Sequence, residues 1–190
     1  HRVDRRQRQM CIRDSLYASS VITGAGKPAV RHPARLNLPR EAMSSSDISS
    51  WKLNTVTVSS SGALSPLTKS RTTFTPLLQS SWQSALLETD RFASALKFDA
   101  LSDEIIPHVQ RHTLAVRIEG PAYSAFPNGI KEQPPGLQKA ERIHVVVVAD
   151  TDLLMDEVAN TAPGGNAQFI LNTLDLSLIH ISEPTRPERI

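Results

Sequence analysis

The chain is poor in aromatic side chains, which make up 5% of its 190 residues. It has eight glycines against thirteen prolines, and one cysteine, Cys11. A single thiol excludes an internal disulfide and any zinc site built on several cysteines. Sparse aromatics argue against a row of stacking platforms for single-stranded nucleic acid, so Trp51 and Trp82 read as core or edge packing. No long apolar run is present. The longest, Ile143-His-Val-Val-Val-Val-Ala149, falls far short of the roughly 20 residues a spanning helix needs. A mean hydropathy of −0.24, with 39% apolar and 21% charged residues, is too polar for a multi-span membrane chain and too apolar for a disordered one. The length suits one domain.

The net charge is +2, but its excess sits at the ends. Arg5–Ser15 resembles an in-frame translation of a sequencing-library adapter, and Leu176–Arg186 resembles the opposite strand of the same adapter. Segments of that kind are set aside before fold reasoning, so residues 1–15 and 176–190 are expected to be disordered. Residues 16–175 then hold fourteen basic and fifteen acidic residues, a net charge of −1. A nucleic-acid reading built on a basic patch loses its support. The remaining span has no cysteine, which excludes thiol catalysis there.

Hydrophobic periodicity predicts several elements. Val21-Ile22 ends a strand before the Gly24-Ala-Gly26 turn, and Leu36 and Leu38 alternate as a short strand edge. Trp51–Ser59 alternates and is rich in β-branched residues, as a strand. Thr72–Leu78 has strand character interrupted by Pro76, and residues 82–100 fit neither period. Leu101–Val109 reads as a short helix capped by Ser102. His112–Glu119 alternates strictly, with Leu114, Val116 and Ile118 on one face and Arg117 and Glu119 on the other, and Gly120-Pro121 should stop it. Residues 120–141, rich in Pro and Gly, read as an exposed mobile loop. The Val145–Val148 run predicts a strand buried on both faces, as in parallel sheets covered by helices. Leu153-Leu154-Met155 opens a helix, Pro163-Gly164-Gly165 a loop, and Asn166–Leu174 a second helix with Phe169, Ile170 and Leu174 on one face.

The chemical motifs are sparse. Gly24-Ala-Gly26-Lys-Pro-Ala29 matches GxGxxA, but the Pro-studded stretch after it is no helix on which a phosphate could sit. His108 and His112 have helical i, i+4 spacing, yet Val109 stands where a zincin has Glu. Ser59-Ser-Ser-Gly62 lacks the strand–nucleophile–helix frame of a hydrolase elbow. Asp150 and Asp152 are the most informative acids. They follow the apolar strand, and open α/β sheets bind ligands at the carboxyl ends of their strands. There they could bind a cation or serve acid–base chemistry, or simply cap the next helix.

Taken in order, Ser61-Gly-Ala-Leu64, Thr73-Phe-Thr-Pro-Leu-Leu-Gln-Ser-Ser81, Leu114-Ala-Val-Arg-Ile-Glu-Gly-Pro-Ala122, Ser124-Ala-Phe-Pro127, Val146-Val-Val-Ala-Asp-Thr-Asp-Leu-Leu154 and Asn166–Asp175 resemble the GldG-type auxiliary component of ABC transporters. The likeness spans residues 28–175. It implies an α/β domain with a partial, mostly parallel sheet and flanking helices, akin to the class I glutamine amidotransferase-like or flavodoxin-like fold. It also implies a non-enzymatic fragment on the periplasmic face of the inner membrane, reaching the bilayer only through anchor helices outside this sequence. The implied partners are ABC permease and ATPase subunits in a gliding motility-type system, with no nucleic acid, metal or cofactor. The expected working surface is the Gly120–Gly136 edge, with Phe126 and Pro127, and the strand end at Asp150, Thr151 and Asp152. The competing class is a hydrolase or amidotransferase-like enzyme using Asp150 or Asp152.

Overall fold

A computed structural model of the chain describes residues 10–14, 16–22, 29–50, 52–88, 108–131, 133–159 and 164–181. Among the described residues nine strands form, β1 (Met10–Asp14), β2 (Ala18–Ile22), β3 (Ala29–Pro39), β4 (Thr55–Ser59), β5 (Thr73–Gln79), β6 (Gln83–Glu88), β7 (His108–Val109), β8 (Thr113–Tyr123) and β9 (Lys139–Val148). A single-turn helix α1 (Asp156–Ala159) and the longer α2 (Asn166–Ile181) follow. The strands make three three-stranded sheets in the orders β1-β6-β7, β2-β3-β4 and β5-β8-β9. Every pairing between these strands is antiparallel.

Alternation explains the interior. In β3, Ala34, Leu36 and Leu38 are buried while Arg35 and Asn37 are not, the period-2 pattern of a strand with one face on a core. Leu36 and Leu38 pair with Val58 and Val56 of β4. Those four side chains join Ile12, Leu77, Leu78, Leu114, Ala115, Leu153 and Phe169 in one cluster, so all three sheets and α2 feed a common core. Backbone links close the seams between sheets. Ile12 N–H donates to Ser61 O at 2.8 Å, Ser44 N–H to Leu77 O at 2.9 Å, and Leu64 N–H to Thr113 O at 2.8 Å.

This architecture corrects the expected fold. The protein is mostly antiparallel β, with few helices, rather than a parallel α/β sheet of the amidotransferase-like or flavodoxin-like kind. The Val145–Val148 run produced the misreading. It belongs to β9, which pairs only with β8 among the described strands and lies at the edge of its sheet. Val146 and Val148 pack toward the core cluster, while Val145 is 42% exposed. Four consecutive valines therefore reflect β-branched propensity in a hairpin, not helices on both faces.

Smaller differences have local causes. Gly120-Pro121 does not end the strand. Gly120 takes φ +124, a conformation that favours glycine, and the register slips between Gly120 and Ala122 while β8 continues to Tyr123. Pro76 stays inside β5, where the register against β8 also slips, since a strand tolerates proline at a bulge. His108–Val109 is strand rather than the end of a helix, and the rest of the expected 101–109 helix lies outside the described residues. The helix expected from Leu153 is a 3-10 turn, Asp152–Leu154, followed by α1. Met10–Asp14 pairs residue for residue with β6, Ile12 is fully buried, and α2 runs on to Ile181.

Candidate functional site

Asp150 sits where β9 ends, 9% exposed. Its Oδ2 accepts the Ser59 N–H at 2.7 Å, and its Oδ1 accepts the Asp152 N–H at 2.8 Å. The first bond ties β9 to the end of β4, and the second closes an Asx turn that opens the 3-10 segment. Burial pushes the Asp150 carboxyl up to about 6, the Ser59 and Asp152 N–H groups pull it down, and the nearby Asp152 charge adds a small rise. Thr151 is exposed and makes no side-chain cap bond, and Asp152 is half-buried. The capping role weighed for these acids thus falls to Asp150.

Asn166 continues the same seam along β4. Its Oδ1 accepts the Thr57 N–H at 2.8 Å, and its Nδ2 donates to Thr57 O at 2.8 Å. One buried carboxamide thus satisfies both backbone groups of a strand residue, as a neighbouring strand would. Gly165 makes the approach possible, because a Cβ there would fall on the Thr55 carbonyl oxygen.

Charged side chains gather on the β8–β9 face. Arg117 lies 3.2 Å from Asp47 and 3.3 Å from Glu119. Glu119 lies 2.9 Å from His144 Nδ1 and 3.7 Å from Arg142. Arg117 and Glu119 are two apart in β8, and Glu119 faces His144 across the ladder, so all three project from one face. Beside them runs an open groove of about 240 Å³ lined by Arg117, His144, Val146, Thr173 and Leu174. Asp150 and Asp152 do not line it.

The β8–β9 hairpin then runs out from the core. Thr113–Val116 are buried, and burial declines toward Tyr123. At its end, the loop 124–138 carries Phe126 and Pro127, both exposed. Tyr123, Ile130 and Leu137 join them, also exposed. Residues 120–123 and 139–141, which the sequence assigned to the loop, are strand.

The remaining motifs do not converge. The GxGxxA glycines and Trp51 lie outside the described residues. His108 pairs with Ser84 across β6–β7, and the His112 N–H donates to Ser80 Oγ at 2.8 Å, so the two histidines share no helix face. Trp82 is exposed, with the Arg111 guanidinium 6.0 Å from its ring centroid. Among the described residues no group of three or more His, Cys, Asp or Glu side chains could hold a metal ion. No helix among them is long and apolar enough to cross a membrane.

Sequence reasoning placed Phe126, Pro127 and Asp150 at exposed or strand-end positions. It missed Asn166, Gly165 and the Arg117–Glu119–His144 cluster. The alternation of Arg117 and Glu119 in β8 was the available signal for the last.

These features define an antiparallel β domain with a projecting hairpin and a polar seam that serves the fold. The family described as an ABC-type uncharacterized transport system matches residues 5–175, and the chain belongs to it, as an auxiliary component. No curated protein and no solved structure matches the chain.

Proposed function

We propose that this chain is a non-catalytic, extracytoplasmic part of an ABC transport system. It sits on the periplasmic face of the inner membrane and couples the permease and ATPase subunits to a partner or substrate, in the manner of gliding motility-type systems. The family match over residues 5–175 carries this reading. The geometry supports a contact role over a catalytic one. Both Asp150 oxygens already accept backbone N–H groups, and the Arg117 guanidinium is engaged by two carboxylates. The exposed side chains that remain for contact, Phe126 and Pro127 foremost, lie on the hairpin loop. The test is a detergent pull-down of the full-length protein with its ABC permease and ATPase. Co-purification of both subunits is the expected result, and their absence refutes the assignment.

A further inference from the structure

We infer that the tip of the β8–β9 hairpin is a lipid-surface contact, in which Tyr123, Phe126, Ile130 and Leu137 enter the boundary between headgroups and acyl chains. The inference takes its setting, next to a bilayer, from the proposed transporter role, but its chemistry comes from the tip itself. These four side chains are 65%, 57%, 54% and 79% exposed. A concentration of large apolar groups on one surface loop marks an interaction site.

The loop is built to keep them outside. Ser124 N–H donates to Gln138 O at 2.9 Å and closes the neck. Gly129 N–H donates to Phe126 O at 3.1 Å, and Gln133 N–H to Ile130 O at 2.8 Å. Gln138 Nε2 reaches Pro127 O at 3.2 Å. Gly129, at φ +86, packs so closely on the backbone of residues 133–135 that a Cβ would collide with it. The N–H groups of Ser124, Phe126, Gly129 and Gln133 therefore find acceptors within the loop. Each such bond lowers the cost of entering a medium of low dielectric, where an unpaired backbone group costs several kcal/mol.

The flanking residues fit the same surface. Lys131 and Lys139 are exposed at this end, with apolar stems that can lie along the interface while the ammonium groups stay at phosphate level. Tyr and Phe are side chains that settle at such boundaries. Residues 123–142 carry Lys131, Lys139 and Arg142 against Glu132 and Glu141, so apolar transfer rather than charge drives the contact.

The test is flotation of the whole chain with phosphatidylcholine vesicles, and with vesicles that also contain phosphatidylglycerol. The native chain should float with both. The double variant Phe126→Ser, Ile130→Ser should lose about tenfold or more in partitioning, with its far-ultraviolet circular dichroism unchanged. In Phe126→Trp, vesicles should shift the added fluorescence to the blue. Absence of flotation, or equal partitioning of the native chain and the double variant, overturns the inference. If the double variant keeps lipid binding but loses capture by the permease and ATPase, the tip is a protein contact and the inference falls while the transporter role stands. If lipid binding behaves as expected and the subunits never co-purify, the transporter reading falls and the lipid contact stands.

Discussion

Replacing Asn166 tests whether a side chain can substitute for a strand. In Asn166→Ala the Thr57 N–H and C=O lose their partners at 2.8 Å, at a site where Thr57 is 5% and Asn166 1% exposed. Water cannot easily replace them. A buried polar group left unsatisfied costs about 1–3 kcal/mol, so two such groups cost roughly 2–6 kcal/mol. Against a typical stability of about 5–15 kcal/mol, that is a large fraction. At about 2–4 °C per kcal/mol for a domain of this size, the melting temperature should fall by several degrees at least. Asn166→Asp separates hydrogen bonding from shape. Its carboxylate can still accept the Thr57 N–H, but its second oxygen faces the Thr57 carbonyl, where a donor is needed. Protonation restores a donor, so Asn166→Asp should regain stability relative to Asn166→Ala as the pH falls, because the variant carboxyl holds its proton more tightly folded than unfolded. Urea unfolding followed by circular dichroism at several pH values measures both effects, and hydrogen exchange at the Thr57 amide reports the bond directly. A cost below about 1 kcal/mol for Asn166→Ala, or unchanged Thr57 protection, would refute the clamp.

Other parts of the same framework give further expectations. The Asp150 carboxyl has a folded value near 6 against an ordinary 3.8; its contribution to stability is therefore complete below about pH 4 and lost as the pH rises through 6. The difference amounts to about 3 kcal/mol, and unfolding titrations of the native chain and Asp150→Asn should diverge across that window. Gly165→Ala puts a methyl group on the Thr55 carbonyl and should cost about 1–3 kcal/mol as the backbone shifts; thermal unfolding of that variant shows it. Arg117→Met strips the ion pair from Asp47, whose side chain is 1% exposed, and should cost roughly 3 kcal/mol. Adding Asp47→Asn should recover part of that loss, and a double-mutant cycle with no coupling would show that the pair is inert.

Local alternation was enough to find β4 and the first part of β8, while strand-forming residues marked β5 and the continuous valine run marked β9. What alternation cannot report is the direction of a neighbour. Val145–Val148 reads as apolar on both faces whether the next strand is parallel or antiparallel. Here β8 and β9 meet as a hairpin with Ala115 opposite Val148 and Glu119 opposite His144. Arg117, Glu119 and His144 then share one side with Val146, beside Thr173 and Leu174 of α2, so this face of the hairpin carries charge next to core valines. β6 stayed hidden because residues 82–100 fit neither period, and β3 was seen only as the short edge at Leu36 and Leu38, because Pro33 and a mixture of Arg, His and Asn mask the rest of its 11 residues.

The polar seam was legible only in part for a related reason. Asp150 stood out as an acid at a strand end, and that position is where it lies. Its task, however, is set by Ser59, a residue 91 positions away, and Asn166 is paired with Thr57 across 109 positions. No spacing rule connects such residues, since a side chain that closes a strand's edge answers to the fold and not to its own neighbours in sequence. The free edge of β4 would otherwise offer unpaired backbone groups to any passing strand. Asp150 and Asn166 bind that edge from two different elements, so the buried acid at the strand end also serves to close the edge of an antiparallel sheet. The exposure of Phe126 and Pro127 on the hairpin loop was easier to read, because apolar residues set among prolines and glycines, outside any period, have no core to enter.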